Sequence, residues 1–382
     1  MNVKKIIKGI LLALVVFIGA LLILTTYWYA RPNTSKVDTD IVPGTWEAVK
    51  DGNHNSNTDM IYWKGYFYMT HASSQWHFAD EGCRIIVRRS ADGKNWEKLA
   101  EISNPGQDIR DPKLMVMGDK MIMYVLKNVD FAAEPYGTSY CTSTDGKNWT
   151  EIQDIEQEGW LFWRPKTRDG HTWYMPAYWH EHGKSALFKS TDGINWTYVS
   201  QVYEGERNDE TAIAFLPDGS MIATARLEVS DNYYGNKDAS TLIAVAKPPY
   251  TNWSYEKSTI TRLDGPYLFR YKDAVFAVGR RHVGSNTFPN YYGSIYGKKR
   301  TSIYRVYPDR LQFITDLPSA GDTTYAGVVL RGGYAWICYY TSPEQRDYPW
   351  IIGMLSKSHI LMTKVPLDVL YNKSEEKKRE KE

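Results

Sequence analysis

SADGKNW (90–96), STDGKNW (143–149) and STDGINW (190–196) repeat one pattern, S-x-D-G-x-N-W. Asp-Gly is a turn dipeptide: the Asp carboxylate accepts from backbone N–H groups just downstream, and Gly takes positive φ without a Cβ clash. The flanking Ser and Trp then fall at the ends of two strands, which leaves the indole to pack between neighbouring units. Tyr250-Thr251-Asn252-Trp253 is a degraded fourth copy that keeps Asn-Trp and has lost Asp-Gly. Trp96, Trp149, Trp196 and Trp253 recur at intervals of 53, 47 and 57 residues. A period of that length, built from short strands and turns, predicts a β-propeller.

A second marker, a hairpin of apolar strands around a Gly or Asp turn, occurs six times. The copies are IYWKGYFYM (61–69), LMVMGDKMIMYV (114–125), TRDGHTWYMPAY (167–178), FLPDGSMIATAR (215–226), LFRYKDAVFAVGR (268–280) and VLRGGYAWICYY (329–340). Six hairpins predict an all-β, six-bladed propeller over residues 51–368, with no long helical period after residue 32. The innermost strand of a propeller blade lines the central channel, and the loops leading into it form a pocket on one face. Functional groups are therefore expected at the start of each hairpin's first strand. Polar residues gather there: His54 to Asp59, Arg110-Asp111, Arg164, Asn208-Asp209-Glu210, and Asp322 to Tyr325.

Residues 1–32 read as a membrane anchor or signal segment. Lys4, Lys5 and Lys8 precede an uncharged run from Gly9 to Ala30, and Tyr27, Trp28 and Tyr29 stand at its far end like an interfacial belt. The run exceeds an ordinary signal h-region and shows no A-x-A site, which favours an uncleaved anchor. The leading lysines then predict a propeller on the extracytoplasmic side, or a secreted one if the segment is cleaved. Residues 33–50 read as a polar tether and 369–382 as a solvated, charged tail. A net charge of +2 excludes the strong basic field expected of a nucleic-acid-binding protein. Cys83, Cys141 and Cys338 form neither a metal pattern nor a disulfide framework. No metal or cofactor is expected, and His180-Glu181-His182 reads as a loop on the substrate face.

The repeat resembles the Asp-box (BNR repeat) of the sialidase superfamily, S-x-D-x-G-x-T-W, with each copy here one residue shorter. NDETAIAFLPDGSMIATAR (208–226) looks like the sialidase stretch in which a Glu is followed, one strand pair later, by an Arg of the carboxylate site. Glu210 and Arg226 match those two positions. Arg280 falls where the family has another carboxylate-binding Arg, and Tyr325 where it has its nucleophile. The resemblance implies an exo-glycosidase that removes an acidic sugar from a glycan. A Tyr nucleophile suits an anomeric carbon bearing a carboxylate, which would repel a carboxylate nucleophile. Glu210 would take the Tyr325 proton, an Asp would protonate the leaving oxygen, and arginines would grip the sugar carboxylate. Asp80 and Asp111 are the two candidate acids. The family's first Arg is missing: its place reads HNSNTDM (54–60), and Arg110 or Arg164 would have to supply it, with His54 beside them. Two further readings follow from that gap: a glycan-binding propeller without turnover, and a polysaccharide lyase using His54 or His71.

Overall fold

A computed structural model of the chain describes residues 3–128 and 134–379. Six antiparallel sheets are arranged as the blades of a propeller. Their inner strands are His54–Trp63, Asp108–Met117, Trp160–Phe162 with Lys166–Thr167, Asn208–Phe215, Asp264–Tyr271 and Thr323–Arg331. Each apolar hairpin recognised in the sequence supplies the first two strands of one blade.

The three S-x-D-G-x-N-W segments join the third and fourth strands of blades 1 to 3. Asp92 accepts from the backbone N–H groups of Lys94 (2.8 Å) and Asn95 (2.9 Å) and from the Asn95 amide (2.8 Å). The same three bonds close the turns at Asp145 and Asp192. These donors, the Asn backbone first, hold the carboxyls of Asp92 and Asp145 well below the usual carboxylate range. Gly146 is required twice over. Its φ is +76°, and a Cβ there would lie 2.4 Å from the Tyr68 ring of the preceding blade. Trp196 packs between blades, its ring centroid 6.2 Å from that of Tyr124 and 5.6 Å from that of Phe162.

Two expectations at the ends of the propeller are corrected. The segment read as a 33–50 tether contains the strand Thr45–Val49, which pairs with His359–Pro366 and completes blade 6 from the other end of the chain. The residues before it are docked as well, with Ile41 and Val42 buried in the core of blades 5 and 6. Most of the charged tail is a helix, Leu367–Arg379, that buries Leu367 and Leu370 and holds Arg305 with Ser374 and Glu375; residues 380–382 lie outside the described residues. All three cysteines are buried free thiols. The N-terminal helix spans Val3–Ala30, and its Val3–Tyr27 portion is unburied and is long and apolar enough to cross a membrane.

Candidate active site

Five of the six inner strands carry a β-bulge near their start. The ladder slips between Ser56 and Asp59, Arg110 and Lys113, Asp209 and Ala212, Asp264 and Tyr267, and Thr324 and Gly327. A bulge inserts one residue and re-aims its side chain. The inserted positions hold Asn57, Asp111, Glu210, Gly265 and Tyr325, all at positive φ. Four of these residues, all but Gly265, line one cavity of about 250 Å³ at the mouth of the channel. In blade 3 the inner strand breaks instead, between Phe162 and Lys166, next to Pro165, which has no N–H to give a ladder.

Tyr325 donates its hydroxyl to Glu210 Oε1. Glu210 Oε2 accepts from the Gly265 N–H (2.8 Å) and lies 3.1 Å from Arg226 Nη1. Burial first, and then the Glu210 charge, push the Tyr325 phenol well above its ordinary value, against the pull of Arg280 and Arg226. The phenol is therefore protonated at neutral pH, with a carboxylate positioned to remove its proton.

Arginines come from the second strands and from the strand starts. Arg226 stands opposite Asp209 in the ladder and Arg280 opposite Asp264. Arg226 Nε donates to Asp209 at 2.7 Å, and Arg280 Nε to Asp264 at 3.1 Å. Arg262, missed in the sequence, donates from Nε and Nη2 to Asp264 (2.8 and 3.1 Å) and lies 3.3 Å from Glu228. It sits two residues before Asp264 at the start of a first strand, so the strand-start rule could have found it. Arg110 is held by Asp108 and by the backbone carbonyls of His77 and Phe78. Among the described residues, these four arginines face five carboxylates in the cavity lining, Asp111, Glu134, Glu210, Glu228 and Asp231.

Asp322 is the buried hub of the blade 6 side. It accepts from Arg280 (3.2 Å), Tyr340 (3.0 Å), Trp350 (2.8 Å) and His77 Nδ1 (2.8 Å), with His54 Nε2 at 3.2 Å but out of hydrogen-bonding alignment. Burial would raise its pKa, but His77 and His54 hold it well below the carboxylate range. His77 and Trp350 line the cavity and were not singled out in the sequence.

The cavity thus gathers Tyr325, Glu210, Asp111, Arg226, Arg280 and Arg110 from among the expected residues. Three others lie outside it. Asp80 caps the Gly82 N–H (2.5 Å) and faces a separate surface groove with Arg84 and Arg88; His77, from the same loop, reaches the cavity in its place. Arg164 is buried against Asp59 and the Thr58 carbonyl, and lies over Tyr267. His54 is fully buried behind Asp322. His71 is also buried, accepting from Arg88 Nε at 3.1 Å, and burial drives its pKa down to about 3, so neither lyase histidine reaches the cavity. Among the described residues, two sets have metal-ligand spacing, His54-His77-Asp322 and Glu134-His182-Glu228. In both, arginine already matches a carboxylate: Arg280 on Asp322, and Arg226 and Arg262 on Glu228.

No protein-family model and no curated protein matches the sequence. Solved structures do match in fold. The phage phi92 endosialidase superimposes with a TM-score of 0.63 at 11% identity, over 85% of this chain and 69% of that one. The Trypanosoma rangeli sialidase in complex with the inhibitor DANA gives 0.62 at 11% identity, over 90% and 60%, so this chain spans about three fifths of that enzyme's length. A protein of unknown function from Dyadobacter fermentans DSM 18053 gives 0.60 at 15% identity, over 85% and 100%. The chain is a six-bladed propeller whose structural neighbours include sialidases.

Proposed function

We propose that the protein is a sialidase-like glycoside hydrolase that removes a terminal acidic sugar from glycans. The observation that carries this reading is the Tyr325–Glu210 hydrogen bond, made by two inner-strand bulges inside the cavity, with Arg226 on the second oxygen of Glu210. In the first step Tyr325 Oη attacks the anomeric carbon as Glu210 takes the phenol proton. The bond to the leaving oxygen breaks, and Asp111 protonates that oxygen. In the second step Asp111 takes a proton from water, the water oxygen displaces Tyr325, and Glu210 returns the proton to the phenolate. Arg226, Arg262 and Arg280 form the cationic wall for the sugar carboxylate. The helix Val3–Ala30 is proposed as an uncleaved anchor, with the propeller outside the cytoplasm, supported by Lys4, Lys5 and Lys8 ahead of the span.

A panel of fluorogenic sialosides, uronides and neutral glycosides, given to the full-length protein in detergent, tests the reading. Release is expected from a carboxylate sugar, with a loss of at least ~10³-fold in Tyr325→Phe and of ~10²–10⁴-fold in Asp111→Asn. An unchanged rate in Tyr325→Phe would sink the nucleophile assignment. The arginine missing from the start of blade 1, where residues 54–60 read HNSNTDM, favours one second reading, a glycan-binding propeller without turnover. Saturable binding of a glycan with no release from any glycoside would select it.

A further inference from the structure

We infer that the mouth of this cavity faces the bilayer in which the chain is anchored, and that its substrates are glycolipid headgroups of that membrane. The inference rests on the cavity being a glycan site and on Val3–Ala30 being a retained span. Its geometry comes from the residues that follow the helix.

A flexible 18-residue tether would let the propeller drift roughly 20–25 Å from the membrane and turn freely. This chain leaves no such slack. The Asp347 N–H donates to the Arg31 carbonyl (3.2 Å), and Pro32 forms a bridge with Arg346. The Asn33 amide donates to the carbonyls of Ser319 (2.8 Å) and Glu344 (2.6 Å), and Lys36 exchanges bonds with Asp316 (2.7 and 2.9 Å). Ile41 and Val42 are then buried. The propeller is clamped to the end of the helix within two residues of it.

The clamp lies on the cavity face. Ser319 precedes the inner strand Thr323–Arg331 and stands three residues before Asp322, which holds Arg280 and Tyr340 against the Tyr325 ring. Residues 344–347 belong to the loop that carries Trp350 into the cavity wall. From there the rim continues without a gap: Lys298 pairs with Asp347 (2.6 Å), Trp350 N–H donates to the Gly297 carbonyl (3.0 Å), and Ile295 N–H donates to the Tyr233 carbonyl (3.0 Å).

On that rim stands an exposed aromatic patch. Tyr233 is 72% exposed, Phe288 66%, Tyr234 44% and Tyr296 39%. Tyr234 meets Phe288 at 5.1 Å and Tyr296 at 5.7 Å between ring centroids. The two loops that carry these rings are held together by a small ladder, Gly235↔Gly293 and Asn236↔Tyr292. Tyr233 and Ile295 also line the cavity, so the patch borders its mouth. Amphipathic rings clustered beside a membrane span are what a headgroup interface accommodates. A patch of this kind on a protein free in water would be a liability.

The test uses full-length protein in liposomes. The three native thiols are buried, so Phe288→Cys and the exposed Lys147→Cys, the latter in the turn between the third and fourth strands of blade 2 and so on the opposite face, can each be labelled with a fluorophore. Brominated lipids should quench the label at 288 several-fold more than that at 147. Equal quenching, or recovery of a cleaved soluble propeller, overturns the inference whether or not the protein is a hydrolase. Turnover is the second arm. Inserting twelve Gly/Ser residues between Ala30 and Arg31 frees the propeller by roughly 20 Å. Release from a liposomal glycolipid should fall about tenfold, while release from a soluble glycoside with the same sugar is unchanged. Equal loss on both substrates, or none on the glycolipid, also overturns it. If no glycoside is cleaved, the hydrolase reading fails, while unequal quenching still supports the membrane-facing geometry.

Discussion

Gly265→Ala offers a perturbation that reaches Tyr325 without removing any functional group. Gly265 occupies the bulge of blade 5 at φ +59°, and its N–H supports Glu210. A Cβ there would lie 2.9, 3.0 and 3.1 Å from three carbons of the Tyr325 ring. Since carbon–carbon contacts relax at about 3.5–4.0 Å, the ring has to move by roughly half an ångström or more. Displacing a nucleophile by ~1 Å costs about 100-fold, so kcat/KM should fall by ~10–100-fold. Stability changes as well, because a left-handed alanine costs about 1–2 kcal/mol and overpacking another 1–3 kcal/mol. Gly332→Ala separates the two effects: its φ is +60° and a Cβ there meets nothing within 4 Å. The assay is release of the active glycoside by both variants at a temperature where each is folded by circular dichroism. Gly332→Ala should retain the wild-type rate. If Gly265→Ala does so too, the position of the Tyr325 ring does not limit the reaction, and the role assigned to that ring is refuted.

Arg164→Met should behave in the opposite way to a site mutation. It strands Asp59 without its buried partner, so stability should drop by ~3–5 kcal/mol in denaturant titration while KM stays unchanged in the folded fraction; a raised KM with normal stability would return Arg164 to the substrate site. His182 predicts a pH dependence of stability. Burial opposes its charge, but Asp209, Glu134 and Glu228 outweigh burial and raise its pKa from 6.5 to about 10. A raised folded-state pKa contributes stability that is fully present below pH 6.5 and is lost as pH rises through about 10. The wild type should therefore lose a few kcal/mol between pH 6.5 and 10 that His182→Gln does not lose, and parallel curves for the two proteins would exclude the assignment.

Legibility followed the range of the interactions. The S-x-D-G-x-N-W turns could be read because their bonds span two or three residues, so composition alone specifies them. The closing strand Thr45–Val49 could not, because it is five residues long and its partners lie more than 300 residues away. The C-terminal helix was hidden by its charge, since its apolar contact with the core comes from a short stretch at its start, Leu367, Val369, Leu370 and Tyr371, ahead of a run rich in Lys and Glu. Asp80 and His77 show a finer limit. They share one loop, three residues apart, and only the path of that loop decides which one faces the cavity. Arg164 went astray for a related reason: the strand break beside Pro165 sends it toward Asp59 rather than the cavity.

The bulges explain why the rest of the site was within reach. A bulge breaks the two-residue period and leaves no periodic trace, but it needs a residue that gains something by being re-aimed. Asn57, Asp111, Glu210 and Tyr325 are not glycine, yet all adopt positive φ, at a cost of order 1 kcal/mol or more each. A core strand has no use for four such residues, whereas a pocket built from strand starts does. Polar residues at those starts are the visible form of that cost. Their convergence, with Tyr325 on Glu210 and Asn57 donating to Asp111 at 2.6 Å, joins bulges of different blades in pairs, blade 6 with blade 4 and blade 1 with blade 2.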